Sequence, residues 1–104
     1  MPELKVGNRN LTVDNDGYLK DFNDWDEEVA RALAEREGVE LGERHLLVIG
    51  FIRGFYSEHQ VAPMLTYLTK QTGVPFRELH KMFGKQPGKR AAKLAGLPKS
   101  TGCT

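Results

Sequence analysis

The residue best suited to chemistry is Cys103, the single cysteine of the chain and its penultimate residue. A cysteine is nucleophilic as the thiolate, and its reaction requires access from solvent. Gly96, Pro98 and Gly102 interrupt regular structure around it, so we expect an exposed and mobile segment. Lys99 and the basic residues before it favour the thiolate, which can accept sulfur as a persulfide. A mobile arm that ends in a thiol suits the transfer of sulfur between two active sites.

The sequence gives little indication of a disulfide, a metal site or an acid–base site. One cysteine forbids an internal disulfide and a thiolate-rich metal site. His45, His59 and His80 lack paired metal-ligand spacing, so we expect neither a metal nor a cofactor, and His45 is interpreted as a structural hydrogen-bonding residue. The segment from Asp14 to Gly17 is interpreted as a turn. Six acids of the first helix are interpreted as a solvated face: Asp24, Asp26, Glu27, Glu28, Glu35 and Glu37.

Charge is distributed unevenly along the chain. Residues 1–50 carry six Lys/Arg against twelve Asp/Glu, whereas residues 51–104 carry nine against two. The basic half can draw acidic partners or anionic ligands. It allows three interpretations: an ordinary solvated helix, a docking patch for an acidic protein, or a nucleic-acid contact, the last weakened because no aromatic residues interleave the lysines. The candidate docking residues are Lys85, Lys89, Arg90, Lys93 and Lys99.

Length and composition predict one globular domain outside the membrane. The chain has 104 residues, of which 39% are hydrophobic and 28% charged, and its mean hydropathy is −0.48. No apolar run approaches the roughly 20 residues that a bilayer helix requires. The N-terminal residues show no secretory signal pattern. We therefore expect a cytoplasmic protein.

Hydrophobic periodicity predicts a hairpin followed by helices. The hairpin covers residues 4–19, and the first helix begins near Asp24, capped by Asn23 or Asp24, and stops at Gly38. The further helices are expected over 42–59, 63–72, 74–83 and 89–95. The second helix is apolar around much of its circumference, which predicts packing on several sides, with Gly50 and Gly54 permitting close approach of another element. The buried face of the fourth helix is expected to consist of Phe76, Leu79, Met82 and Phe83.

The C-terminal run Lys93-Leu94-Ala95-Gly96-Leu97-Pro98-Lys99-Ser100-Thr101-Gly102-Cys103-Thr104 resembles the signature arm of the DsrC/TusE family, the gamma proteins of dissimilatory sulfite reductase and the TusE sulfur-relay proteins. Supporting similarities lie at Asp16-Gly17-Tyr18-Leu19, Asp24-Trp25, Glu37-Gly38-Val39-Glu40-Leu41, His45, Phe51-Ile52-Arg53 and Ala62-Pro63-Met64. The resemblance implies a mainly α fold: an N-terminal β-hairpin, a small helical bundle and a flexible C-terminal arm. It also implies a reactive cysteine at Cys103.

The chain departs from the family pattern at several positions. Sulfite reductase partners carry a second arm cysteine where this chain has Ala92, so two-thiol chemistry within one chain is impossible here. This departure indicates the single-cysteine, TusE-like members. Further departures are Thr66, Gly84, Gln86 and Ser100.

We therefore expect a domain over residues 1–95 and an arm over 96–104. The expected function is that of a sulfur carrier, a sulfurtransferase-like relay protein that receives sulfane sulfur on Cys103 from an upstream persulfide donor protein. A downstream acceptor enzyme would then take the sulfur, with transfer-RNA 2-thiouridylation as the candidate pathway. The alternatives are a partner protein of dissimilatory sulfite reductase or of sulfur oxidation, and, from another class, a nucleic-acid-binding regulatory module.

Overall fold

The computed structural model describes residues 2–99, and its first element is an antiparallel hairpin. Strand β1 (Glu3–Val6) pairs with β2 (Arg9–Thr12), and Val6 lies opposite Arg9. Gly7 adopts a positive φ of 59°, which glycine tolerates without steric cost. Because Val6 pairs with Arg9, the connecting turn consists of two residues, Gly7 and Asn8.

The predicted turn from Asp14 to Gly17 is confirmed. The Asp14 carboxylate accepts hydrogen bonds of 2.9 Å from the backbone N–H groups of Asp16 and Tyr18. Gly17 has a φ of 87°, and Val13 pairs with Leu19 on either side of the turn. Asp14 thus organises the loop through its own backbone, as aspartate commonly does in turns.

Helix α1 (Glu27–Glu37) begins later than the sequence predicts. Residues Phe22–Asp24 form a separate 3-10 turn that Asp21 caps. Asp26 is the N-cap of α1, since its carboxylate accepts from the Val29 N–H at 2.9 Å. The prediction of Asn23 or Asp24 as the cap is therefore wrong, while the predicted stop at Gly38 is confirmed by its φ of 72°.

Helix α2 (Glu43–His59) follows Gly42, as predicted, and buries Val48, Ile49 and Ile52. Its outer side is open, since 52% of Leu47 is exposed. A Cβ added at Gly50 or Gly54 would meet nothing within 4 Å in the described part of the chain. The prediction that these two glycines permit close approach of another element is therefore wrong.

Helices α3 (Leu65–Thr72) and α4 (Phe76–Phe83) are short and end at glycines. Leu68, Leu79 and Phe83 are buried. Phe76 was expected in the core, but it is 50% exposed because it occupies the first turn of α4, at the edge of the bundle. Helix α3 begins at Leu65, after Pro63, so the predicted start is two residues early.

Helix α5 (Pro87–Leu94), in contrast to α1 and α3, starts earlier than predicted. Pro87 occupies the first turn, where its missing N–H costs no intrahelical hydrogen bond. Gln86 precedes it in the left-handed region with a φ of 52°. The predicted break over residues 84–88 therefore ends at Gln86.

The helices pack around α5 as a small bundle. Helices α1, α2 and α4 all contact α5, and α1 also packs on β1. Leu94 and Ala91 of α5 are fully buried among the apolar side chains of these elements. This confirms the predicted mainly α fold with an N-terminal hairpin. Within residues 2–99, no helix has both the length and the hydropathy needed to cross a bilayer.

Candidate functional site at the root of the arm

The predicted catalytic residue, Cys103, lies outside the described residues. The structure does describe the segment from which the arm leaves the domain, residues 94–99, which we call the arm root. The arm was expected to begin at Gly96. Gly96 and Leu97 are instead buried, whereas Pro98 and Lys99 are exposed, so the packed part extends two residues further than the predicted boundary.

The arm root begins with a glycine-based cap of α5. Gly96 has a φ of 80°, its N–H donates to the Lys93 carbonyl at 3.1 Å, and the Leu97 N–H donates to the Ala92 carbonyl at 3.2 Å. This pair of hydrogen bonds is the Schellman arrangement, which satisfies two carbonyls at a helix end. Leu97 is 2% exposed, so an apolar anchor completes the cap.

Two side chains from other elements hold the same helix end. The Trp25 indole Nε1–H donates to the Leu94 carbonyl, and the Arg53 Nη1–H donates to the Ala95 carbonyl, each at 2.9 Å. The Arg53 guanidinium carbon lies 4.3 Å from the Trp25 ring centroid and 3.8 Å from that of Phe22. Burial lowers the pKa of Arg53, and the rings offset part of the lost hydration through cation–π attraction. We call Trp25, Arg53 and the two carbonyls the root clamp.

Lys99 extends from the arm root to the turn after the hairpin. Its Nζ forms an ion pair with the Asp16 carboxylate. The hydrogen bond and charge of Lys99 lower the pKa of Asp16, and the same contact raises the pKa of Lys99. Both side chains are more than half exposed, so salt screens this attraction. The pair directs the last described residue of the arm toward the Asp14–Gly17 turn.

The five candidate docking cations lie together, as lining residues of one open groove of about 290 Å³ beside the arm root. Three of them already have acidic partners. Lys93 Nζ lies 2.7 Å from Glu37, Arg90 Nε lies 3.4 Å from the same carboxylate, and Lys99 pairs with Asp16. We call this the basic groove. It is lined by Asp16, Tyr18, Glu37, Lys85, Gln86, Lys89, Arg90, Lys93 and Lys99.

Lys85 and Lys89 are the members of the basic groove that are exposed without an ion-pair partner among residues 2–99. Glu37 was interpreted as part of a solvated face, but its side chain is 20% exposed, because Lys93 and Arg90 cover it. That interpretation is therefore wrong for Glu37. The cations that remain available to a partner are chiefly Lys85 and Lys89.

His45 has the structural role that the sequence predicts. Its Nδ1 accepts from the Gly42 N–H at 3.1 Å, and its Nε2 lies 2.9 Å from the Met82 carbonyl. One neutral tautomer, protonated on Nε2, satisfies both contacts. No cluster of three potential metal ligands occurs within the described part of the chain.

Trp25, Arg53 and Glu37 are the site residues that the sequence analysis missed. One signal was available, because Arg53 is the single charged residue in the run from Leu46 to Tyr56 of α2. A charged residue in such a run requires a partner when it is buried. The identity of that partner, a carbonyl 42 residues away, depends on the tertiary structure.

This chain is similar to known proteins over nearly its whole length. The family model for DsrC like protein matches residues 5–104. The chain is 38% identical to the dissimilatory-type sulfite reductase subunit gamma of Nitratidesulfovibrio vulgaris over 104 residues, 99% of each chain. It is 40% identical to the sulfurtransferase TusE of Yersinia pseudotuberculosis, covering 96% of this chain and 99% of the relative.

A solved structure agrees with these sequence relatives. The crystal structure of the oxidized gamma-subunit of dissimilatory sulfite reductase, DsrC, from Archaeoglobus fulgidus superposes with a TM-score of 0.92 at 38% identity. The superposition covers 99% of this chain and all of that one. The chain therefore belongs to the DsrC family.

Proposed function

We propose that the protein is a sulfur carrier that receives sulfane sulfur on Cys103 and passes it to an acceptor enzyme. The observation that carries the proposal is the packed part of the arm root, which ends at Leu97, six residues before the single thiol. Six residues span at most about 20 Å, enough to enter a partner's active site. Relatives named sulfurtransferase support the same role.

The transfer conserves electrons. The Cys103 thiolate attacks the outer sulfur of a donor persulfide, so that a new S–S bond forms at Cys103 and the donor's S–S bond breaks. The donor leaves as a thiolate, and the proton of the outer sulfur stays with the transferred atom or passes to solvent. The reverse exchange with an acceptor thiol restores Cys103. The carrier contributes access and alignment more than a lowered barrier.

The basic groove supplies a docking surface for an acidic partner. Lys85 and Lys89 remain available there, and they lie beside the arm root from which the thiol extends. Because Asp16 and Glu37 neutralise part of the groove, it suits the mixed charge of a protein surface better than a continuous phosphate backbone. This charge pattern gives less support to the nucleic-acid-binding alternative.

A second candidate is a partner protein of dissimilatory sulfite reductase. The 38% identity to a subunit gamma over 99% of both chains favours it. Identity alone does not separate it from the TusE-like candidate, which matches at 40%. The residue that favours the TusE-like candidate is Ala92, since a lone thiol cannot form an intramolecular bridge. We therefore place the protein with single-thiol relay carriers, with transfer-RNA thiolation as the candidate pathway.

The test is sulfur loading followed by intact mass analysis. Incubation with a polysulfide or a protein persulfide donor should add one sulfur mass per chain, and reductant should remove it. Cys103→Ser should take up none, whereas Lys85→Gln, which keeps the thiol, should still load from polysulfide. A wild-type chain that gains no sulfur from any donor, including its cognate protein donor, would refute the carrier function.

A further inference from the structure

We propose that this chain pairs with a second copy of itself through one side of α2, with the two α2 helices antiparallel about a two-fold axis. The proposal goes beyond the carrier function and does not depend on it. The contact surface, which we call the α2 stripe, consists of Arg44, Leu47, Phe51, Gly54 and Glu58.

The α2 stripe occupies one side of its helix. Its residues follow one another at alternating intervals of three and four, which places them on one face and is the spacing by which two helices pack along each other. The buried residues Val48, Ile49 and Ile52 lie at other positions, as does Arg53 of the root clamp. Phe51 is half-buried, and the other four stripe residues are exposed. Within residues 2–99, the stripe is therefore open to a second molecule.

The middle of the α2 stripe is apolar. Leu47 is 52% exposed. The Phe51 ring packs against the ring of Tyr67 on α3, with 5.9 Å between the centroids, and Tyr67 is itself 44% exposed. The apolar surface thus continues from α2 onto α3. Covering such a surface removes it from water, which favours association.

The two ends of the α2 stripe carry opposite charges. Arg44 precedes Phe51 by seven residues, and Glu58 follows Phe51 by seven. In an antiparallel pair with the two-fold axis at Phe51, Arg44 of each copy therefore lies opposite Glu58 of the other. A parallel pair would instead place Arg44 against Arg44 and Glu58 against Glu58, and like charges oppose pairing. Charge complementarity thus identifies a second, antiparallel copy as the occupant of the stripe.

Arg44 has a partner within its own chain and retains capacity for another. It donates to Glu78 Oε2 from Nη2 at 2.6 Å, and its side chain is still 53% exposed. A guanidinium carries five N–H donors, so Arg44 can bind Glu78 and a carboxylate of the second copy together. Glu58 lies 3.8 Å from His59 Nε2, beyond hydrogen-bond distance, and its side chain is 79% exposed. Both ends of the stripe are thus available for ion pairs between copies.

The stripe also complements itself in size. Leu47 precedes Phe51 by four residues and Gly54 follows it by three, so Leu47 of each copy lies against Gly54 of the other. A Cβ built at Gly54 would meet nothing within 4 Å in the described part of the chain, which leaves room for a leucine there. The close approach that Gly54 does not serve within one chain is then made between two chains.

The pair is expected to be weak. One face of a single helix and the edge of its neighbour cover less surface than the roughly 1,600 Å² of a standard interface. Dimers should therefore be populated at about 500 µM protein and dissociate at about 5 µM. Unfolding experiments on dilute protein report on the single chain.

The experiment is sedimentation equilibrium of the full chain over this concentration range, in reductant so that no disulfide contributes. Arg44→Glu and Glu58→Arg each place like charges at both ends of the pair. In an equal mixture of the two variants, one chain presents glutamate at both ends and the other arginine, so attraction is restored. Leu47→Gln removes the apolar contact. Arg77→Glu is the matched control, because it makes the same charge change at an exposed residue of α4.

We expect a dissociation constant that rises about fivefold or more in Arg44→Glu, Glu58→Arg and Leu47→Gln, because each change acts twice in a two-fold pair. The equal mixture and Arg77→Glu should stay within about twofold of the wild type. Urea unfolding at low protein concentration verifies that each variant is folded. Should Arg44→Glu fail to fold beside Glu78, Glu58→Arg and Leu47→Gln decide.

The proposal is overturned if the reduced wild type stays monomeric at the highest concentration, which would leave the stripe to a different protein. It is also overturned if the stripe variants dimerise as well as the wild type, if the mixture is no tighter than its separate components, or if the control weakens pairing as much. All variants keep Cys103, so sulfur loading from polysulfide should be unchanged in them. Failure of the carrier function is therefore visible separately from failure of the pairing.

Discussion

Asp16 and Lys99 form a residue-scale contact whose strength depends on pH. The pKa of Asp16 is lowered in the folded protein. The stability that its carboxylate contributes is therefore present above its unfolded pKa and is lost as pH falls through the folded pKa. The pKa of Lys99 is raised in the folded protein. The stability that its ammonium group contributes is therefore present below its unfolded pKa and is lost as pH rises through the folded pKa. The contact is therefore intact across neutral pH.

We predict that Lys99→Gln raises the pKa of Asp16 toward the ordinary range of an aspartate. The Lys99 hydrogen bond is the first cause of the lowered pKa, so removing it should shift the carboxyl titration midpoint upward. Carbon-13 NMR titration of the aspartate carboxyls measures this shift, and high salt should reduce it in the wild type. An Asp16 midpoint that is the same in both chains would show that the pair does not form.

Glu37 is the residue that joins α1 to the basic end of α5. Its carboxylate contacts Lys93 at 2.7 Å and Arg90 at 3.4 Å, and the Lys93 side chain is only 14% exposed. Losing the carboxylate charge would leave the largely buried ammonium of Lys93 without its partner.

We predict that Glu37→Gln lowers the free energy of unfolding by about 1.5–3 kcal/mol, the usual range for a hydrogen bond to a charged group. Glu35→Gln, an exposed neighbour on the same helix, should change it by less than ~0.5 kcal/mol. Urea denaturation of the wild type and of the two variants measures both changes in the free energy of unfolding. Equal stabilities for the two variants would mean that Glu37 is solvated after all.

At the scale of elements, α2 has a face that no described element covers. Gly50 and Gly54 lie on this face, in the interior of a helix, where glycine costs stability relative to alanine. Both have ordinary negative φ values, since neither is among the positive-φ glycines.

We predict that Gly54→Ala raises the free energy of unfolding by about 0.5–1 kcal/mol. Gly38→Ala is the matched control, because Gly38 also has open space around a built Cβ but adopts a φ of 72°, so alanine should destabilise there. Thermal and urea unfolding show whether each variant is more stable or less stable than the wild type. Destabilisation by Gly54→Ala would mean that another surface does approach α2 closely.

At the scale of the whole molecule, the single cysteine determines which oxidised products can form. Among disulfides, one thiol per chain allows only a bond to a second chain or a mixed disulfide with another thiol. Ala92 is half-buried on α5, and its carbonyl accepts the hydrogen bond from Leu97. A cysteine there would lie eleven residues before Cys103, and the cost of closing such a loop grows only with the logarithm of its length.

We predict that mild oxidant joins two wild-type chains through Cys103, reversibly with reductant. Cys103→Ala should remain monomeric, and Ala92→Cys should shift the product toward an oxidised monomer. Non-reducing electrophoresis with intact mass analysis separates the three products. An oxidised dimer in Cys103→Ala, which has no thiol, would exclude the disulfide explanation.

The sequence alone determined the order of the elements, because hydrophobic periodicity, Gly7 and Gly38 act locally on the backbone. It also indicated the family, through a run of residues at Lys93–Thr104 that needs no folding to be recognised. The residues at which the helices begin could not be predicted exactly from the sequence. Asp24 and Asp26 are equivalent as local caps, and the choice of Asp26 leaves Trp25 extended so that its indole can reach Leu94.

Only the tertiary structure decided where the arm is held and which cations are neutralised. Arg53 bonds a carbonyl 42 residues away, and Lys93 pairs with a carboxylate 56 residues away. Such contacts depend on how α1, α2 and α5 pack, whereas sequence spacing reports contacts within about one helical turn. The sequence thus identifies the single thiol, whereas the contacts that hold residues 94–97 arise from the packing of distant segments.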